Sequence, residues 1–514
     1  MFDTVLSYFK DIAAIPRGSG NEKGISDYLV TFAKAHGLDV IQDDWNNIIM
    51  TRPAAPGREN DEPIVLQGHM DMVCEKDPGV EKDMTKEGID LIFDDEKHTL
   101  TADGTTLGGD DGIAVAMALA LLADESLKCP RLEFVCTTGE EVGMIGASHI
   151  DLTSVKGRRL LNLDSEDEGV FLAGCAGGGT AKVSLPVERT YPDTEPADLT
   201  GVTITLDGLL GGHSGQMAAS GRANAIYELF GVLSNIYEKA PFRIITFTGG
   251  GKDNAIPRNA EAVLVIQKES LQAMKEAVAG EETRLKEAFG KVEKALSLRV
   301  EETGYEIHPE AKVGKDLFKG KLATDAAVGK GKSENAEDEP VLTPLTRQST
   351  KDVIALVLAL PNGLLSMTEG MGDLPEVSLN LGIVKLTYDS FVISYCVRSG
   401  VDAKYDRLTR HMKEIAKGAG AVYSASGEYP AWEFVKESPF RDEMVATFKD
   451  MFGREPKVTV IHAGVECGLL ADKLPGLDAV SIGPDMKDIH TTGETLDLAS
   501  AERTYDFVRA IVEK

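Results

Sequence analysis

The stretch Ile64-Val65-Leu66-Gln67-Gly68-His69-Met70-Asp71 decides the fold. It opens as a short apolar run without polar alternation, which reads as a strand covered on both faces, and it stops at a glycine, a histidine and an acid. The same style returns in residues 131–138 (RLEFVCTT) and 158–164 (RRLLNLD). Residues 112–124 (GIAVAMALALLAD) are apolar nearly all round and long enough for a buried helix. Short buried strands alternating with helices predict an α/β domain around a mostly parallel central sheet. Residues 479–484 (AVSIGP) and the helix-like 501–514 repeat the pattern, so a late strand is expected to complete this domain.

Between these parts the texture changes. Residues 202–209 (VTITLDGL), 223–237 (ANAIYELFGVLSNIY), 242–250 (FRIITFTGG) and 260–268 (AEAVLVIQK) read as strand, helix, strand, strand, and 271–296 as a further helix. A similar order recurs from 352–361 (DVIALVLALP) through 377–399, 406–420 and 421–430, a repeat of pattern and not of identity. The expected organisation is a discontinuous domain, residues 1–185 and 432–514, interrupted by an α+β insert, residues 186–431, with internal duplication. Residues from about 310 to 344 are rich in Lys, Gly, Asp, Glu and Ala, so they are expected to form a polar connection between the two halves.

A chain of 514 residues exceeds one ordinary core, in keeping with two domains. Its net charge of -29 opposes binding to nucleic acid or to anionic membranes, both of which need Lys and Arg against phosphate. No apolar run reaches the ~18 residues of a membrane span. Phe2, Leu6, Phe9 and Ile12 fall near a helical period and read as an amphipathic helix, not a signal peptide. The six cysteines show no CxxC spacing, as expected for reduced thiols of a cytoplasmic protein, and no thiolate zinc site is indicated.

Four motifs carry chemistry. His69 and Asp71 lie two apart at a strand end, so the acid can orient the histidine. Asp110 and Asp111, in Gly108-Gly109-Asp110-Asp111-Gly112, precede the apolar helix; an N-cap accounts for one aspartate, assigned to Asp111, and leaves Asp110 for chemistry. Glu140 and Glu141, in Thr138-Gly139-Glu140-Glu141, would repel one another at a strand end unless a cation or a shared proton offsets their charge. Asp164 follows a fourth apolar stretch, and a fifth donor is available in His490, beyond the C-terminal strand. Nitrogen and carboxylate donors without thiolate favour Zn²⁺, with Mn²⁺ or Co²⁺ as alternatives, over an all-oxygen Mg²⁺ or Ca²⁺ site. His213 and His462 sit in glycine-rich surroundings that serve equally as plain turns or as ligand contacts. His36, His98, His149, His308 and His411 read as structural or surface groups.

In this order GHMDMV (68–73), GTTLGGDDGIA (104–114), TTGEEVGMIGA (137–147), LLNLDSEDEG (160–169), GCAGGG (174–179), GGHSG (211–215) and HAGVECG (462–468), with the late His490, resemble the aminoacyl-histidine (Xaa-His) dipeptidases. That branch belongs to the di-zinc peptidase superfamily that includes carboxypeptidase G, aminoacylase and carnosinase. The resemblance implies a zinc-peptidase domain with an inserted lid that mediates dimerisation in many members, and hence a homodimer. It implies one metal held by His69 and Asp164, a second by Glu141 and His490, and Asp110 bridging both. It further implies Asp71 orienting His69, Glu140 as general base toward a metal-bridged water, and His213 as a lid histidine that in dimeric relatives reaches the other subunit's site. Asn380 and Arg398 resemble the lid residues that hold the substrate carboxylate, and His462 is placed with them. The branch usually carries Ala-Asp-Asn where this chain has Gly109-Asp110-Asp111, although the second aspartate is common elsewhere in the superfamily.

The expected activity is metal-dependent hydrolysis of unblocked dipeptides such as β-alanyl-histidine. The alternatives are an N-acyl-amino-acid deacylase or a tripeptide aminopeptidase with the same metal centre. A catalytically silent metal- or peptide-binding protein would have no need of Glu140. No GxSxG or Cys-plus-base arrangement supports a serine or cysteine hydrolase.

Overall fold

In the computed structural model, residues 2–305 and 343–514 are described. The polar connection expected at about 310–344 falls almost wholly outside them, as does His308. The chain divides into two compact units, Met1–Ala176 with Tyr429–Lys514, and Gly177–Glu428.

The first unit is built on an eight-stranded sheet in which Leu132–Thr137, Ile64–His69, Arg159–Asn162 and Asp478–Ser481 lie side by side and parallel. Every residue of Ile64–His69 and Leu132–Thr137 is buried, which is why neither shows polar alternation. Antiparallel Ile48–Arg52 and Asp39–Gln42 extend one side; Val170–Cys175 and Lys457–Ile461 extend the other. On one face the helices Phe2–Ala13, Lys23–Ala35, Gly109–Ala123, Pro439–Phe452 and Leu498–Val512 supply the main core. A smaller cluster around Val65, Val135, Leu160, Trp432 and Leu470 forms a second core. The Gly109–Ala123 helix is buried along nearly its whole length, as an all-round apolar sequence requires.

The second unit holds a nine-stranded sheet. Strand, helix, two strands, helix and strand run from Leu199–Asp207 to Ser297–Glu302, and the same order is completed by Arg347–Ala359, Pro375–Leu386, Ser390–Ser399, Asp402–Gly418 and Val422–Tyr429. The second set takes its first strand from Gly177–Pro186, which pairs with Ser390–Ser399. That pairing, with a burial pattern that alternates along the strand, puts Gly177–Pro186 in the second unit. The sheets of the two sets join where Phe242–Gly250 meets Pro375–Leu386.

Among the described residues, none of the six cysteines is in a disulfide and no helix is long and apolar enough to cross a membrane.

Candidate active site

Three neighbouring parallel strands deliver side chains to one edge of the first unit's sheet. Ile64–His69 ends on His69, Leu132–Thr137 leads into Glu140 and Glu141, and Arg159–Asn162 leads into Asp164. Their carboxyl ends open together because they run side by side in one direction, the place where open α/β sheets bind ligands. Asp110 follows no strand of this sheet; it stands at the start of the Gly109–Ala123 helix, where Asp110 and Asp111 are still non-helical and joined by a cis peptide bond. His490 comes from the loop beyond Asp478–Ser481, the next strand in the sheet, and has a left-handed φ of 61°.

The five side chains expected to hold metal meet. His69 Nε2 lies 3.0 Å from Asp110 Oδ1 and 3.7 Å from Asp164 Oδ1. His490 Nε2 lies 3.0 Å from Asp110 Oδ2 and 3.0 Å from Glu141 Oε2. Asp110 thus divides its two oxygens between two clusters, His69–Asp110–Asp164 and Asp110–Glu141–His490, in each of which the donor atoms fall within 4.8 Å of one another. Glu140 joins a third grouping with His69 and Glu141.

The electrostatics are those of crowded acids. Among the described residues Asp110, Glu141 and Asp164 pair only with the two histidines, never with Lys or Arg. Burial, reinforced by neighbouring acids, holds the Glu140 carboxyl well above the usual range and pushes Asp164 up to about 6. Hydrogen bonds to Asp110 and Glu141 push His490 up to about 10. Burial alone would lower His69, but its bonds to Asp110 and Asp164 hold it well above normal. Glu141 Oε1 is buried and meets no hydrogen-bond partner. Such a set of nitrogen and carboxylate donors, with an orphaned buried oxygen and no fixed positive charge, fits divalent cations.

The surrounding bonds show how the donors are held. Asp71 Oδ1 stands 3.4 Å from His69 Nδ1 and also accepts the Glu140 N–H at 3.1 Å. Its Oδ2 accepts from Ser19 Oγ at 2.7 Å and the Glu141 N–H at 3.4 Å, so one carboxylate sets both His69 and the glutamate loop. The N-cap role expected for Asp111 is not what the structure shows: its side chain makes no cap bond and, fully buried, accepts the His69 N–H at 3.1 Å. Glu466, which the sequence reading left without a role, is also fully buried and accepts from Gln67 and Thr137 at 2.6 Å each.

In the second unit, Arg398 donates to Ser214 Oγ at 3.0 Å and lies 3.4 Å from His213 Nε2. Burial and Arg398 push His213 down to about 4. Asn380 donates to the carbonyls of Asp253 and Ala255 and accepts from Asn224, so most of its amide is engaged inside this unit. His462 is buried just past Lys457–Ile461 in the first unit.

The family model described as Peptidase family M20/M25/M40 matches residues 65–514. The chain belongs to this family. As an M20 peptidase it is a metallopeptidase, the enzyme class expected from its motifs. It is 33% identical over 506 residues, 98% of this chain and 96% of the relative, to the cytosol non-specific dipeptidase of Escherichia coli (strain K12). The crystal structure of aminoacylhistidine dipeptidase from Vibrio alginolyticus matches with a TM-score of 0.84 at 30% identity, covering 99% of this chain and 96% of that one. A tripeptidase from Staphylococcus aureus shares the fold, with a TM-score of 0.54 and 15% identity over 100% of this chain and 98% of that chain.

Proposed function

We propose that this M20 peptidase hydrolyses unblocked dipeptides, using one divalent ion held by His69, Asp110 and Asp164 and another held by Asp110, Glu141 and His490. The observation that carries this reading is Asp110, whose two oxygens each face a different histidine. Such ions, when bound, supply Lewis acidity that polarises a carbonyl and lowers the pKa of water. Zn²⁺ is the ion of choice for these donors, with Mn²⁺ and Co²⁺ next.

Glu140 takes the role of general base: its loop is fixed by Asp71, and its raised pKa suits a group that accepts a proton from water and returns it to the leaving amine. Arg398, buried yet bonded among the described residues only to neutral groups, takes the peptide's terminal carboxylate, with Asn380 and His462 as further substrate contacts. His213, neutral at pH 7, is assigned as a donor to the developing oxyanion. A cytoplasmic homodimer completes the proposal, the compartment supported by the name of the Escherichia coli relative and the dimer by the family resemblance of the motifs. Sedimentation mass tests the dimer: a fully active monomer would exclude a partner's His213 from catalysis.

The two full-length relatives differ in what their names claim, one non-specific and one directed at aminoacyl-histidine. The reading adopted is a broad dipeptidase that includes Xaa-His substrates. Metal-stripped protein, assayed before and after Zn²⁺, Mn²⁺ or Co²⁺ on β-alanyl-histidine, plain dipeptides, tripeptides and N-acetyl amino acids, tests it. Restored cleavage confined to free dipeptides is expected. Restored cleavage of only tripeptides or acetylated amino acids would keep the metal centre and overturn the substrate class.

A further inference from the structure

Glu494 is 3% exposed, four residues beyond His490, and among the described residues its carboxylate's hydrogen-bond partners are backbone amides. Its Oε2 accepts the N–H groups of Leu107 at 2.8 Å and Gly108 at 3.0 Å, while Oε1 accepts those of Gly109 at 2.8 Å and Asp110 at 3.4 Å. Arg17, 1% exposed, grips the same turn from the other side by donating to the Gly108 carbonyl and, at 3.0 Å each, to those of Met70 and Asp71. The Gly108 residue is therefore held through its N–H by a buried anion and through its C=O by a buried cation. A side chain there would collide with Arg17 and Met72, and φ is 67°, so glycine is required.

The link from Glu494 back to His490 is short. Thr491 closes a tight turn, its Oγ accepting the Gly493 N–H at 3.1 Å and its carbonyl the Glu494 N–H at 3.2 Å. His490 itself is exposed and has no regular element to hold it. His69 and Asp164, by contrast, stand at the ends of central strands.

We infer that Glu494 is a positioning residue that ties the loop carrying His490 to the Leu107–Asp110 turn, which Arg17 also holds, and so fixes His490 in the Asp110–Glu141–His490 metal site more than it fixes Asp110. This rests on the two-metal reading proposed above. Loss of Glu494 should loosen the ion at His490 by about 10–100-fold, the range found for groups that orient metal ligands, and leave the ion at His69 and Asp164 near its wild-type affinity.

The test is calorimetric Zn²⁺ titration of the metal-free full chain, with metal content by mass spectrometry and Co²⁺ absorption spectra. Wild type is compared with Glu494→Gln, Glu494→Ala and a variant carrying one glycine inserted between Thr492 and Gly493. The insertion leaves the bonds of the Glu494 carboxylate in place and opens only the Thr491 turn that links it to His490, so it decides the matter if the substitutions fail to fold by circular dichroism. The expected result is two ions in wild type and selective weakening of one in every folded variant. Equal weakening of both sites, or two unchanged affinities, would overturn the positioning role. Fewer than two ions in wild type would instead overturn the two-metal reading on which it stands.

Discussion

Asp110 and Arg398 are both charged and nearly out of solvent, 8% and 6% exposed, and among the described residues neither pairs with a fixed charge of opposite sign, the usual company of a buried charge. Around Asp110, in the first unit, stand further acids and two histidines. Around Arg398, in the second, stand a hydroxyl, a thiol and an imidazole, and among the described residues its Nε has no hydrogen-bond partner. Burying an unpaired charge costs several kcal/mol, so such groups persist where something else supplies the counter-charge. The comparison teaches that the two buried charges ask for opposite company: under the proposed function the acids around Asp110 would take cations and Arg398 an anion.

The largest effect should come from removing the shared acid. Asp110→Ala is expected to abolish turnover and to lower metal content, because one residue serves both clusters; unchanged metal content would break the first half of the comparison. Glu140→Gln should reduce kcat by about 10²–10⁴-fold while both ions stay bound, separating proton transfer from metal binding.

On the other side, Arg398→Ala should raise KM for dipeptides by roughly 30-fold or more, since truncating a buried charge pair costs about 2–5 kcal/mol. Dipeptide amides, which lack the carboxylate, should hardly notice the change. Equal effects on both substrates would remove the anion from the second unit's role.

Asp71→Asn is expected to weaken metal affinity or activity by about 10–100-fold through His69 and the glutamate loop.

The smallest effect is a pH dependence of metal-free protein. Asp164, held up to about 6 by burial, destabilises the fold as pH rises from near 4 through 6. His490, raised to about 10 by its bonds to Asp110 and Glu141, contributes stability below about 6.5 that is lost as pH rises through 10. Both terms have the same sign, so the Tm of metal-free protein should fall modestly between pH 5 and 10. His490 is 45% exposed, so its share is small. Metal-loaded protein should not show this fall, because the deprotonated forms are the ligands; identical slopes would count against metal binding at these groups.

The strands that bear His69, Glu141 and Asp164 were legible because full burial erases polar alternation and a histidine or an acid stands at or within four residues of each strand's carboxyl end. The repeat in the second unit was only half legible, since the first strand of its second set, Gly177–Pro186, precedes the whole first set in the chain. Asp111 was assigned to the wrong partner because an aspartate before a helix normally bonds its own N-terminus, whereas here it reaches His69 42 residues away. Arg17 and Glu494 left no signal at all: they act on backbone amides and carbonyls, and Glu494 reaches Leu107 across 387 residues. A contact to backbone places no demand on the identity of the distant side chain, so spacing cannot reveal it.

The most direct single measurement is stepwise titration of metal-free protein with Zn²⁺, following bound metal and hydrolysis of an unblocked dipeptide in the same samples. Saturation at two ions per chain, with turnover rising from nothing as they bind, is the expected result. Full turnover in chelated protein that holds no metal would contradict it.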